Sequence, residues 1–232
     1  VTGTGRNPDT FPNDEKEVGW RDIDSTVEEI QANGVRGLPL VVDVSSEMDV
    51  RRMIDSTIEE FGRLDIMVNN AAAPYGPDRV PVLDLSSDVF KDVIDIKLMG
   101  TFYCSKAAAG QMVKQGDGGR IVNLSSTMGK SGQANTSAYN AANFAVDGFT
   151  QALAKEMADH DITVNSVSIM SGAEDFDTDL STTATNVASN ITANTSSPNY
   201  TAAAVGAVIT ITAVTKGTAT NTYAVVSSAT TI

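Results

Sequence analysis

Ser126 and Tyr139 stand thirteen positions apart, and no other two side chains in the chain combine type and spacing so well for work on one substrate atom. Ser126 ends the apolar stretch Gly119-Arg-Ile-Val-Asn-Leu-Ser-Ser126, and Tyr139 opens the helical stretch Ser137-Ala-Tyr139-Asn-Ala-Ala-Asn143-Phe-Ala-Val. A hydroxyl at a strand end and a phenol on the next helix can converge on one carbonyl or alcohol oxygen, each with a donor and an acceptor to offer. One helical turn beyond the tyrosine stands Asn143, whose amide carries no charge.

The elements that must hold these groups read as alternating strands and helices between residues 37 and 168. Gly37 to Asp43 is a short apolar run. A helix capped by Ser45 or Ser46 follows it, with Met48, Val50, Met53, Ile54, Ile58 and Phe61 at helical spacing. Leu64 to Asn70 is the next strand, and one long helix is expected from about Ser87 to Lys114. Arg120 to Ser125 is a strand, Thr136 to Ala158 an amphipathic helix, and Ile162 to Val167 closes the series. Apolar strands without clean alternation, each followed by a helix, predict an α/β doubly wound parallel sheet covered on both faces. Residues 21–33 predict a further helix stopped by Gly34.

Taken in order, these motifs resemble the short-chain dehydrogenase/reductase family over about residues 1–168. That family consists of NAD(P)-dependent oxidoreductases on a Rossmann-like fold. In it the serine polarises the substrate oxygen and the tyrosine is the general acid/base, assisted by a lysine four residues on, which here is Asn143. Asp43-Val44 after a strand matches the family's acidic residue at the adenine. Asn69-Asn70-Ala71-Ala72 matches its Asn-Asn-Ala-Gly turn lining the cofactor cleft, with Ala72 in place of glycine. Gly5-Arg6 resembles the end of the second strand, where arginine favours a 2′-phosphate and hence NADP, with NAD as the other possibility. Lys97 stands where the family has an asparagine on its long helix, so Lys97 and Asn143 read as an exchange of residue types within one proton-relay neighbourhood. A cation from Lys97 could do part of what Asn143 cannot. The other reading, which the need of the family's lysine to grip the cofactor ribose favours, leaves Lys97 on a solvated helix face and Asn143 as a mark of weakened catalysis.

The family's glycine-rich phosphate loop has no match, and the expectation is that the chain begins in the second strand, without the first strand and helix. The family's Pro-Gly is also missing near Ile169-Met170. The resemblance implies reversible hydride transfer between NADP (or NAD) and a small alcohol or ketone, impaired here. Ser126, Tyr139, Asn143 and Lys97 would form the catalytic group, and Arg6, Asp43, Val44, Asn70, Ala71 and Tyr139 the cofactor group. It also implies a homodimer or homotetramer built through residues 87–114 and 136–158.

Composition narrows the rest. A net charge of −13 offers no basic surface for nucleic acid or an anionic membrane. No stretch reaches the roughly 18 apolar residues of a membrane span. One cysteine, Cys104, excludes an internal disulfide and fits a reducing, cytoplasmic setting, and with one histidine, His160, no zinc cluster can form. Asp43, Asp65 and Asp95 read as strand-end, strand-start and helix-surface residues rather than a metal triad.

Two domains are expected: a Rossmann-like one over 1–172 and a Thr/Ala/Ser-rich segment over 181–232. Every Asp and Glu lies before Leu180, and Lys216 is the sole charged side chain after it. Ala207 to Thr215 alternates at period two and could pair with Thr222 to Ser227 as a β-hairpin. In composition and that turn pattern the segment resembles small β modules of phage-tail and other surface-structure proteins. The rival to an oxidoreductase is therefore a non-catalytic structural or interaction protein, a fold remnant joined to a β module.

Overall fold

The computed structural model of the chain describes residues 2–3, 23–169, 199–205, 208–214 and 222–226. The chain divides into two compact units, one of residues 1–43 with 172–229 and one of residues 44–171 with 230–232.

In the first unit, β1 (Thr2–Gly3) and β2 (Leu40–Val41) pair in parallel, Thr2 opposite Leu40. The apolar run that predicted a strand over residues 37–43 is thus extended and paired over only two residues. Between them in sequence lies α1 (Ile23–Ala32), which buries Ile23, Val27 and Ile30 at the four- and three-residue spacing of one helical face.

The second unit holds Ser126, Tyr139, Asn143 and Lys97. Ser46 begins α2 (Glu47–Phe61) by accepting the Asp49 N–H on its hydroxyl at 3.3 Å, leaving one fewer unsatisfied donor at the helix start. Next come β3 (Ile66–Asn69), α3 (Ser87–Val93), α4 (Gly100–Gln115), β4 (Gly119–Ser126), α5 (Ser137–Met157) and β5 (Ile162–Ile169). The three strands form one parallel sheet in the order β3-β4-β5, with Asn69 opposite Asn123 and Ser126 opposite Ile169. Parallel pairing requires a covered crossover, and the helices supply it. Along β4 every residue is buried. Ile121 faces a core of Ala108, Ala109 and Met112 from α4, Leu153 from α5, and Ile162 and Val164 from β5. The rings of Phe102 and Phe149 meet edge-on at 5.9 Å where α4 and α5 pass.

The helix expected to run unbroken from Ser87 to Lys114 is interrupted. Ile94–Met99 is a π-helical segment, in which the Gly100 N–H reaches back to the Asp95 carbonyl. The wider turn inserts an extra residue and changes which side chains face the sheet. Lys97 lies in it and is buried, which corrects the solvated-face reading of that residue.

In the first unit, β7 (Val208–Val214) and β8 (Thr222–Val226) pair antiparallel, Val208 opposite Val226, as the period-two pattern predicts. A third strand, β6 (Asn199–Val205), pairs with the other edge of β7 and was not anticipated. Among the described residues no helix is long and apolar enough to cross a membrane.

Candidate functional site

The C-terminal end of β4 and the start of α5 are tied together by a short relay of hydrogen bonds. Ser126 accepts the Met128 N–H on its hydroxyl oxygen at 3.1 Å, starting a 3₁₀ turn over Thr127–Gly129. Asn140, next to Tyr139, donates from its amide to the Met128 carbonyl at 2.6 Å and to the Ser131 carbonyl at 2.9 Å. Its oxygen accepts from the Gln133 N–H at 3.3 Å and from the Thr136 hydroxyl. One buried asparagine thereby fixes the whole 128–136 connection, an arrangement Ser, Ala or Leu could not reproduce. Ser125 adds a contact from its hydroxyl to the Asn143 carbonyl at 3.4 Å. Ser126, the last residue of β4, and Tyr139, in the first turn of α5, stand at the two ends of this tied connection.

Both retain capacity for a ligand. The Ser126 oxygen is an acceptor toward Met128, so its hydrogen is left to donate. The phenol oxygen of Tyr139 makes no hydrogen bond among the described residues, while its ring, 8% exposed, is covered by the Arg79 guanidinium 4.2 Å from the centroid.

Asn143 is fully buried and turned onto its own helix. Its amide nitrogen donates to the Tyr139 carbonyl at 2.9 Å, and its oxygen has no partner among the described residues. Tyr139, Asn143 and Asp147 lie at successive four-residue steps, so they share one face of α5. Asp147 is buried and pairs with the Lys130 ammonium at 2.8 Å. Lys97 enters the same neighbourhood from the π segment. Burial drives its ammonium down from 10.5 to about 8, against a smaller upward pull from the Asp147 carboxylate. Gly129 lets the strand end approach this group. A Cβ there would stand 2.8 Å from the Ser125 hydroxyl and 3.0 Å from Asp147 Oδ2.

The remaining expected residues are dispersed. Asn70 and Ala71 are half-buried just past the end of β3, the side of a parallel sheet where ligands bind. Their neighbour Asn69 is structural. Its amide donates to Ser105 at 2.9 Å and to the Asn123 oxygen at 2.7 Å, and Asn123 in turn donates to Thr150 at 2.9 Å, tying β3, β4, α4 and α5 together. Val44 is half-buried and packs where Gly100 leaves room, since a Cβ on Gly100 would come within 2.7 Å of its methyl. Asp43 is exposed and belongs to the first unit. Arg6 and Met170 lie outside the described residues. Cys104 is buried, and burial pushes its thiol up to about 12, which leaves no nucleophilic thiolate at neutral pH. Among the described residues no group of three or more His, Cys, Asp or Glu side chains is arranged to hold a metal ion.

The match of the short chain dehydrogenase family model to residues 18–186 decides the family. The chain belongs to the short chain dehydrogenase family. A short chain dehydrogenase/reductase of Aspergillus oryzae, astE, is 43% identical over 134 residues, covering 58% of this chain and 51% of the relative. Among solved structures, NAD+-bound xylitol dehydrogenase superposes with a TM-score of 0.62 at 32% identity, covering 70% of this chain and 62% of that one. ElxO with NADP bound superposes with a TM-score of 0.54 at 33% identity, over 57% and 52% of the two chains. This family member spans about half the length of the curated relatives it matches.

Asp147, Asn140 and the Asp78-Arg79 pair escaped sequence reasoning. Asp147 was reachable, because it repeats the four-residue step from Tyr139 to Asn143. Arg79 sits in an aperiodic loop rich in proline, and no pattern connects it to a tyrosine sixty positions on.

Proposed function

We propose that the chain carries the site of an oxidoreductase exchanging a hydride between a nicotinamide cofactor and a small alcohol or ketone. In it Ser126 donates to the substrate oxygen and Tyr139 transfers the proton. The observation that carries this reading is the pair of free hydroxyl functions, the Ser126 hydrogen and the Tyr139 oxygen, at the carboxyl end of a parallel sheet in a member of this family. Nicotinamide chemistry is supported by the solved relatives, one bound to NAD+ and one to NADP.

The donor set fits such a cofactor in part. Asn70, Ala71 and Tyr139 would line its nicotinamide end, whereas Asn143, fully buried and bonded to its own helix, offers no ammonium for a ribose, and the Lys97 cation lies farther along α5, near Asp147. A bound cofactor would supply the hydride, while the side chains orient the carbonyl and move the proton. By resemblance to the family, the Asp43-Val44 pair of the sequence would serve the adenine, and an arginine at position 6 would favour NADP over NAD. Activity is expected to be low, since a proton-transferring phenol works best beside an unpaired cation and Lys97 shares its charge with Asp147. Phe90 on α3, Val113 on α4 and Phe144 on α5 expose apolar surface, which supports association into a homodimer or tetramer through residues 87–114 and 136–158.

The test is NADPH and NADH oxidation with a panel of small ketones, comparing the parent with Tyr139→Phe. Turnover in the parent reduced by about 10²-fold or more in Tyr139→Phe supports the reading. Equal rates, or none in either protein, favour the non-catalytic alternative.

A further inference from the structure

The loop after β3 delivers an arginine to the face of Tyr139, and the open edge of that arginine points to the kind of substrate the site takes. Gly76-Pro77-Asp78-Arg79 is a β-turn closed by the Arg79 N–H on the Gly76 carbonyl at 3.0 Å. Gly76 has a φ of +119°, a conformation that other residues rarely adopt, and Pro77 presets the second position of the turn. With Pro74 and Pro81 on either side, the loop has few conformations open to it.

Three contacts fix the guanidinium at the end of this loop. Asp78, itself buried, forms an ion pair with Arg79 Nη1. The Tyr139 ring lies 4.2 Å from the guanidinium carbon and the Tyr75 ring 5.0 Å. Asp78 takes one amino group, and among the described residues Nε and Nη2 have no acceptor. The planar guanidinium keeps all its donors in one plane, in a fork that two acceptor oxygens can meet together. The ring it covers carries the oxygen assigned to proton transfer, so an acceptor on the open donors lies within a few bonds of a carbonyl held by that oxygen.

We propose that Arg79 is the specificity-determining residue of this site and that it selects substrates bearing a carboxylate close to the reacting carbon, such as a short keto acid or its hydroxy acid. The proposal rests on the reading of Tyr139 given above. In a chain with net charge −13, an anionic substrate is disfavoured by the overall field, and a fixed cation at the reacting atom is what offsets it locally. A planar carboxylate matches the two free donors of the fork better than a neutral amide of the same shape.

Two measurements separate this proposal from the one beneath it. The first is the ratio of kcat/KM for acetoacetate to that for its neutral isostere acetoacetamide, with NADPH, in the parent, Arg79→Gln and Arg79→Lys. The parent is expected to favour the acid by about tenfold to a hundredfold, Arg79→Gln to bring the ratio near one, and Arg79→Lys to recover part of it. A parent ratio near one, or a ratio unchanged in Arg79→Gln, overturns the proposal, the second result meaning that the arginine only props the ring. The second is calorimetric binding of malonate, an unreactive dianion, to the same proteins and to Tyr139→Phe. Malonate binding that survives in Tyr139→Phe and is lost in Arg79→Gln supports the proposal even where no variant turns over. Absence of malonate binding to the parent overturns it even where Tyr139-dependent turnover is found.

Discussion

Replacing Lys97 by methionine tests the electrostatics of the site without assuming any activity. The folded chain holds the Lys97 ammonium at about 8 because burial strips its water, and Asp147 recovers only part of that loss. In the unfolded chain the same lysine titrates near 10.5. Below pH 8 both states carry the proton and the folded state bears the whole cost of the buried charge. Between 8 and 10.5 the unfolded state binds more protons, so stability rises with pH, and above 10.5 the cost is gone. A shift of this size corresponds to about 3 kcal/mol. Methionine fills nearly the same length of side chain without charge, and Asp147 keeps its pair with Lys130 at 2.8 Å. Lys97→Met is therefore expected to be more stable than the parent by up to about 3 kcal/mol at pH 7, with the advantage vanishing toward pH 10.5. Urea unfolding followed by circular dichroism at pH 7, 8, 9 and 10 measures this, because groups common to both proteins cancel in the difference. A difference independent of pH, or a variant less stable at pH 7, would refute the argument. If the ammonium also serves the reacting oxygen, turnover in the parent declines as pH rises through about 8, and that limb is absent in the variant.

Two further substitutions probe the surroundings. Asn143→Lys restores a cation one turn from Tyr139 and is expected to raise kcat by up to about 10²–10⁴ where proton transfer limits the rate, while lowering stability by about 1–3 kcal/mol through overpacking of a fully buried position; paired kinetics and urea unfolding read both. Asn140→Ala removes the partners of Met128, Ser131, Gln133 and Thr136 and should cost about 2–4 kcal/mol, with faster amide hydrogen exchange confined to residues 128–136; protection unchanged there would show that the connection holds itself.

Much of the fold around the site is legible because it is periodic. A serine cap and a helical apolar period locate α2, and short apolar runs locate β4 and β5, within a few residues, since burial and satisfaction of helix-end donors are local demands. The pattern fails where the structure departs from a regular period. The π turn at Ile94–Met99 keeps a helical composition and differs only in the reach of its backbone hydrogen bonds, so nothing in the residue types announces it. The strand β6, with three alanines in a row, has no alternation to betray it and pairs with the neighbouring strand β7. For the site, the residue types were enough to place Ser126 at a strand end and Tyr139 in the first turn of the helix that follows. The reach of Lys97 and Arg79 was not readable, because it depends on a turn inserted in one helix and a proline-bounded loop after one strand.

That difference bears on the exchange between Lys97 and Asn143. Judged by position alone, an amide in place of a lysine removes the cation from beside the tyrosine. In three dimensions Lys97 brings one back from another helix, but to a different place: buried and near Asp147, two turns along α5 from Tyr139. A charge that interacts with a carboxylate acts on a third group mainly as part of a dipole, and its influence falls faster with distance than that of a lone ammonium. The second cation, Arg79, is likewise paired, with Asp78, although it lies directly on the ring. The cation on the tyrosine ring and the one farther along the helix thus each interact with a carboxylate. Such an arrangement suits orientation and recognition of an anionic substrate better than it suits strong activation of a phenol, which is the physical reason to expect selectivity to outlast rate in this chain.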